Sequence, residues 1–199
     1  MLLDEESIAL ELGRTGIAVR EQFLTADVVA ELADNARAAH ARGRFVAAAV
    51  GRGDARKVDA AVRGDLTLWL DPAAASAAER AYFDAVEELR SAVNQCLQLG
   101  AFEVEAHYAL YPPGAAYARH RDVLRGTEAR VVSTVLYLNE DWDGRDGGVL
   151  RVYLDGDSVR EVLPRAGVFV CFLSDRFDHE VTVATRERWS VTAWLRRRR

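Results

Sequence analysis

In the stretch YARHRDVLRG, Tyr117 to Gly126, a histidine and a carboxylate stand two residues apart, His120 and Asp122, with Arg121 between them. Side chains at i and i+2 of an extended chain project from one face. The spacing therefore predicts an imidazole beside a carboxylate on a strand, with Arg121 turned to the other side. A third ligating group is available at His179, which opens the run HEVTVA directly after the turn-like LSDRFD. Two imidazoles and one carboxylate on one face of a metal leave positions open for other ligands, the arrangement typical of non-haem Fe(II). Zinc more often takes a fourth protein ligand, or three plus a water. The remaining histidines have simpler readings. His107, alone in a strand, reads as a satisfied core or surface residue, and His40 as a surface or helix-end residue.

Nine residues beyond His179 stands Arg188. In RWSVTAWL, alternation puts Arg188, Ser190, Thr192 and Trp194 on one face and Trp189, Val191, Ala193 and Leu195 on the other. One face is mixed polar and the other apolar, as for a strand that lines a cavity and backs onto helices. A buried guanidinium needs an anion, and its planar fork suits a carboxylate. Pattern alone leaves Arg188 open between this role and that of a solvated arginine in ATRERW, which is the reading for Arg186. Two other readings of the motifs fail. A kinase-type HRD loop needs an Asn where Thr127 stands and a glycine-rich loop before a strand lysine. The tripeptide Arg63–Asp65 could suggest cell adhesion, but no secretion signal accompanies it.

The elements that must position these groups fall into two halves. Up to about residue 100 the chain reads mostly as helix. TADVVAELADNARAAHARG has Thr25 or Asp27 as N-cap, Val28, Val29, Leu32 and Ala36 on one face, and Gly43 as a stop. SAAERAYFDAVEELRSAVNQCLQLG has a capping box, Ser76 and Glu79, then Tyr82, Phe83, Val86, Leu89, Val93 and Leu97. RFVAAAV and LTLWL between them read as strands. They flank GRGDARKVDAAVRGD, a charged and Gly-rich loop at 51–65. From Phe102 the period changes to two. FEVEAHYALY, RVVSTVLYLN, GGVLRVYL, SVREVLP, GVFVCFL, HEVTVA and RWSVTAWL alternate with turn sequences. Many short strands predict a mainly β fold with helices, of α+β class: a sandwich, barrel or jelly roll with the two long helices on one sheet.

Composition sets outer bounds. Half of the 199 residues are hydrophobic, enough for a substantial core, so disorder is excluded. The length fits one domain over 1–199, with 1–100 as a helical and strand support and 101–199 as a β core. The net charge of −5 argues against nucleic acid as a partner. Lys57 is the only lysine among 26 basic residues. Cys96 and Cys171 form no CxxC pair and read as reduced thiols. The acidic, amphipathic start is not a signal peptide, and no apolar run approaches a membrane span. A cytoplasmic protein with no membrane partner is expected.

The runs HYALYPPGAAYARHRD, VLYLNEDWDGRDGGVLRVY, FLSDRFDHEV and ATRERWSVTAWL resemble the oxygen-sensing type of prolyl hydroxylase within the Fe(II)/2-oxoglutarate-dependent dioxygenases. GIAVREQFL, ARGRF and RGDLTLWL extend the likeness more loosely through the first half. The resemblance implies a double-stranded β-helix, or jelly roll, with N-terminal helices on its major sheet. It implies Fe(II), 2-oxoglutarate and O2, with ascorbate in support, and 2-oxoglutarate decarboxylated to succinate. His120, Asp122 and His179 match the metal ligands. Arg188 and Tyr137 match the residues that bind the distal carboxylate of 2-oxoglutarate, with Thr192 and Tyr111 beside them. Arg63, Asp65, Tyr117, Arg130 and Trp194 match positions on the substrate side, and 51–65 matches a mobile loop that closes over a peptide. The implied partner is a protein carrying a target proline. Alternatives are a 2-oxoglutarate oxygenase acting on a small molecule such as a free amino acid, and a jelly-roll binding domain without catalysis. Nucleic-acid demethylases of the superfamily carry a second arginine where Trp194 stands, which counts against that activity.

Overall fold

The computed structural model describes residues 5–49, 58–59, 61–123, 129–156 and 158–198. Three helices precede most of the strands: α1 (Glu5–Thr15), α2 (Ala26–Ala41) and α3 (Ala77–Leu97). The sequence reading resolved α2 and α3 but left the first segment without an element. α1 turns Ile8, Ala9 and Leu12 inward and packs against α3. The predicted capping box opens α3: the Ser76 hydroxyl accepts the Glu79 N–H at 3.2 Å, and the Ser76 N–H donates to the Glu79 carboxylate at 2.7 Å. Tyr82, Val86, Leu89 and Val93 follow at helical spacing, all buried. The helix ends at Gln98 in the left-handed region, just before Gly100.

The strands are β1 (Ile17–Arg20), β2 (Val46–Ala47), β3 (Leu66–Trp69), β4 (Ala101–Tyr111), β5 (Tyr117–His120), β6 (Arg130–Tyr137), β7 (Leu150–Tyr153), β8 (Val159–Val162), β9 (Phe169–Leu173), β10 (Asp178–Val181) and β11 (Arg188–Arg197). They form a seven-stranded sheet in the order β1-β9-β6-β11-β4-β3-β2 and a four-stranded sheet in the order β5-β10-β7-β8. The described strand pairs are antiparallel. Each period-two run of the second half coincides with a strand. β1 was not expected. It is a short edge strand whose pairing partner, β9, lies far along the chain. RFVAAAV shrinks to the two residues of β2, both exposed. An edge strand of small side chains has little to pack against, so pairing stops early.

The central strands confirm the alternation read in RWSVTAWL. Trp189, Val191, Ala193 and Leu195 join Leu89 and Val93 of α3 in the core between helices and major sheet. Arg188, Ser190, Thr192 and Trp194 point the other way, into the space between the two sheets. A second apolar cluster, including Tyr111, Tyr137, Val152, Val170 and Phe172, fills the rest of that space. Cys96 is half-buried and Cys171 buried, both as free thiols. Among the described residues no helix is long and apolar enough to cross a membrane.

Candidate active site

β5 and β10 meet at the pair His120↔His179, which brings two imidazoles together across one strand boundary. Their rings are 4.2 Å apart between centroids. β5 ends at His120, so Asp122 is not on the strand. The same-strand argument for the pair is therefore replaced by another. Asp122 is drawn in by two donors from the major sheet. The Ser133 hydroxyl donates to Oδ2 at 2.6 Å and the Trp194 indole N–H donates to the same oxygen at 2.9 Å. His120 Nε2 then lies 3.7 Å from Asp122 Oδ1, and His179 Nε2 lies 3.7 Å from Oδ2. One ligand atom from each of the three residues falls within 4.8 Å of the others.

The tautomers suit ligation. His120 Nδ1 lies 2.8 Å from the Ala118 carbonyl and His179 Nδ1 lies 3.5 Å from the Phe177 carbonyl. A carbonyl only accepts, so Nδ1 carries the proton and the Nε2 lone pairs face Asp122. Burial, the neighbouring His179 and Arg63 push the His120 imidazole down to about 4, outweighing the opposing pull of Asp122. Burial alone would raise the Asp122 carboxyl. The two histidines and the bonds from Ser133 and Trp194 outweigh it and hold the group well below the usual carboxylate range. A carboxylate and deprotonated imidazole nitrogens form a donor set for a divalent cation. Arg121 faces away, as expected, and takes a structural part: it bonds Asp178 at 3.0 Å and the Asp175 carbonyl at 3.1 Å, fastening the end of β5 to β10.

Arg188 settles as a cavity residue. It is only 2 % exposed. Its Nε donates to the Gly148 carbonyl at 2.7 Å, and its guanidinium sits 5.0 Å from the rings of both Tyr111 and Tyr137. Among the described residues it forms no ion pair. Gly148 makes the close approach feasible: its φ is +62°, and a Cβ there would stand 2.8 Å from Arg188 Cδ. Tyr137 is fully buried beneath Arg188, and its hydroxyl has no hydrogen-bond partner. Burial pushes that phenol up to about 12, against the lowering pull of Arg188. It stays a protonated donor. A buried cation without a counter-ion, beside an unpartnered hydroxyl, is suited to the carboxylate of a small ligand.

The remaining predicted residues gather at the same cavity. Tyr111, Thr192, Arg63, Asp65, Tyr117, Arg130 and Trp194 line it together with the three ligand residues and Arg188. Arg63 grips the buried Asp65 through two bonds of 2.7 and 2.9 Å, with its guanidinium 4.9 Å from the Tyr117 ring. Tyr117 stacks on His120 at 3.6 Å. Arg130 lies 3.5 Å over the Trp194 ring and bonds Glu105 at 2.9 Å. Trp194 differs from its substrate-side expectation in one respect: its N–H is committed to Asp122, so the ring alone is left to face the cavity. Of the 51–65 loop, residues 51–57 and 60 lie outside the described residues. Its far end is tied down through Gly64 N–H to the Ala116 carbonyl at 3.0 Å.

Sequence reasoning missed three residues here. Ser133 and Asn139 act through strands distant in sequence. Asn139, in YLNEDW, accepts the Trp189 N–H at 2.6 Å and donates to the Trp189 and Pro164 carbonyls, clamping the backbone beside Arg188. His107, read as unremarkable, lines the cavity with no partner for Nδ1. Its strand neighbours gave no sign of this, since the face it shares is set by β3 and β11.

Comparison with known proteins adds the lineage. Residues 106–196 match the model of the 2OG-Fe(II) oxygenase superfamily. A prolyl-4-hydroxylase structure from Pseudomonas putida is 42 % identical, superposes with a TM-score of 0.90, and covers 98 % of this chain and 99 % of its own. A Trichoplax adhaerens prolyl hydroxylase, solved with a hypoxia inducible factor oxygen degradation domain peptide fragment, is 25 % identical with a TM-score of 0.85, over 96 % of this chain and 89 % of its own. The human Egl nine homolog 1 is 29 % identical over 92 % of this chain, which spans 44 % of that protein's length. The jelly roll is shared with a relative aligned almost end to end, this chain adds a histidine–aspartate–histidine cluster suited to iron, and the chain belongs to the 2OG-Fe(II) oxygenase superfamily as a dioxygenase using Fe(II), 2-oxoglutarate and O2.

Proposed function

We propose that the chain hydroxylates a prolyl residue within a polypeptide, coupled to decarboxylation of 2-oxoglutarate to succinate. The observation that carries the reading is the buried, unpaired Arg188 in the same cavity as the three ligating side chains. His120 and His179 would hold Fe(II) through Nε2. Asp122 would hold it through Oδ1, since Oδ2 already accepts from Ser133 and Trp194. Arg188 and the Tyr137 hydroxyl would take the distal carboxylate of 2-oxoglutarate, with Tyr111 and Thr192 along its flank. The bound metal and co-substrate supply the oxidising chemistry.

The protein's own share is positioning. The fixed Asp122 carboxylate and the backbone-anchored imidazoles hold one ligand geometry. The deep cation fixes which end of a dicarboxylate enters first. The clamped Arg63–Asp65 pair, Tyr117, and Arg130 on Trp194 form the rim that a substrate must pass. The near full-length likeness to a bacterial prolyl-4-hydroxylase, and to an enzyme solved with a peptide, supports a polypeptide over a free amino acid. The test is incubation with Fe(II), 2-oxoglutarate and an array of proline-containing peptides, beside free proline. The expected result is succinate release matched by one added oxygen on a peptidyl proline. Turnover confined to free proline would contradict the reading.

A further inference from the structure

The two imidazoles of the ligand set are not held alike. His179 lies within β10, paired on one side with β5 and on the other with β7, and its ring packs on Phe172 at 4.7 Å between centroids. His120 is the last residue of β5, which stands at the border of the minor sheet. Its side chain is 19 % exposed, against 7 % for His179. The end of a border strand opens more readily than the middle of a paired one. The place of His120 at the metal therefore depends on what holds the outer side of β5.

Residues 62–64 close that side. The Val62 carbonyl accepts the Ala118 N–H at 2.9 Å, and the Gly64 N–H donates to the Ala116 carbonyl at 3.0 Å. Between these bonds Arg63 stands opposite Tyr117 in an antiparallel bridge. Side chains directly opposite one another share a face. The Arg63 guanidinium lies 4.9 Å from the centre of the Tyr117 ring. It is kept there by its two bonds to Asp65, which is 2 % exposed. Tyr117 in turn lies flat on His120, 3.6 Å between centroids with 14° between the planes. Asp65, Arg63, Tyr117 and His120 thus form one row, and the row ends at a metal ligand.

The two constraints on the His120 imidazole do different things. The bond from Nδ1–H to the Ala118 carbonyl, at 2.8 Å, selects Nε2 as the ligating nitrogen. It leaves the ring free to tilt about that bond. The Nε2 lone pair lies in the ring plane, so a tilt turns it away from the metal. A flat ring 3.6 Å away removes this freedom, because turning the imidazole drives its edge into Tyr117. Contacts of this kind, which orient a ligating histidine without touching the metal, govern metal affinity. We propose that Tyr117, braced by Arg63, is a positioning residue for the metal: it fixes the plane of the His120 imidazole and so sets the affinity for Fe(II) before any substrate binds. The inference rests on the reading of His120, Asp122 and His179 as the metal ligands, and is independent of the prolyl reading.

The test is a calorimetric titration of the metal-free full chain with Fe(II), without oxygen, 2-oxoglutarate or peptide. Tyr117→Leu removes the flat face, and the dissociation constant for Fe(II) is expected to rise about tenfold or more. Tyr117→Phe keeps the face and is expected to stay within about twofold of the wild type. Arg63→Ala removes the brace and is expected to raise the constant about two- to fivefold. Thermal midpoints of the metal-free variants should match the wild type. Midpoints that fall in step with the affinity would show a general packing role and overturn the inference. Wild-type affinity in Tyr117→Leu, or a loss that Tyr117→Phe shares, would overturn it too. Should Tyr117→Leu not fold, wild-type affinity in Arg63→Ala would do the same. All of these outcomes leave the ligand reading standing. No Fe(II) bound by the wild type, or binding that His179→Ala leaves intact, would overturn the ligand reading and this inference with it.

Discussion

Arg188 and Asp122 are buried charges handled in opposite ways. Asp122 accepts two side-chain hydrogen bonds, from Ser133 and Trp194, whereas Arg188 has a single carbonyl and two aromatic faces. The unpaired group is the one proposed to take the co-substrate's carboxylate. Arg188→Ala is predicted to raise the KM for 2-oxoglutarate by roughly 30-fold or more, because a buried charge-assisted pair is lost. Arg188→Lys should lie between, keeping the charge but losing the fork and the bond to Gly148. Steady-state kinetics at saturating peptide would check both. His107 makes a pH prediction. Its imidazole has an ordinary value of 6.5 and is pushed down to about 3 by burial. Between these values the unfolded chain binds more protons, so the stability is full above the ordinary value and is lost as pH falls toward the folded one. The slope from this group is at most about 1.4 kcal/mol per pH unit. Urea unfolding of His107→Asn should therefore give a flatter acid limb than the wild type below about pH 6. Equal slopes would show that the wild-type acid loss comes from other groups. The residue types pointed to the ligand triad, while Arg188 was left open by strand alternation and was singled out by the family resemblance. They could not reveal His107, whose surroundings are Trp69 and Trp194 from two other strands.

The elements explain why short motifs carry so much of the likeness. YLNEDWD places Asn139 where its amide bonds three backbone groups of distant segments, two of them on Trp189, the residue after Arg188. Trp142 in the same run donates to the Gly147 carbonyl at 3.0 Å, next to the glycine whose carbonyl holds Arg188. Asn139→Ala is predicted to cost about 2–3 kcal/mol, since three buried backbone groups lose a partner. It should also raise the KM for 2-oxoglutarate by loosening the start of β11. Ser76→Ala is the contrasting case. It removes the cap of α3 and should cost about 1 kcal/mol with no change in KM. Denaturant midpoints and kinetics on the two variants would separate the roles, and equal KM effects would count against the Asn139 clamp. Helices and strands with internal periodicity, such as α3 and β11, were readable from the chain. β1 and the shortened β2 were not, because an edge strand is defined by the neighbour it pairs with. The position of Asp122 escaped for the same reason: alternation assumed a strand that ends two residues earlier.

At the scale of the molecule, the helices back one face of the major sheet so that the other can be spent on a polar cavity. The apolar faces of β11 and β4 carry the core, and their opposite faces carry Arg188, Thr192, Trp194, Tyr111 and His107. His120 and His179 belong to the minor sheet and Asp122 follows β5, but Asp122 is bonded to Ser133 and Trp194 of the major sheet, so metal binding is linked to the packing of the two sheets. Fe(II) is accordingly predicted to stabilise the chain by about 2.7 kcal/mol at a hundredfold excess over its dissociation constant, read as a rise in thermal midpoint that a chelator reverses. The central claim is that His120, Asp122, His179 and Arg188 form one pocket for Fe(II) and 2-oxoglutarate together. The most direct measurement is an anaerobic titration of the protein with Fe(II) and 2-oxoglutarate, followed by visible absorption. A band saturating at one metal and one 2-oxoglutarate per chain is predicted, absent in His179→Ala and requiring far more 2-oxoglutarate in Arg188→Ala. No band, or a band that His179→Ala leaves unchanged, would contradict it.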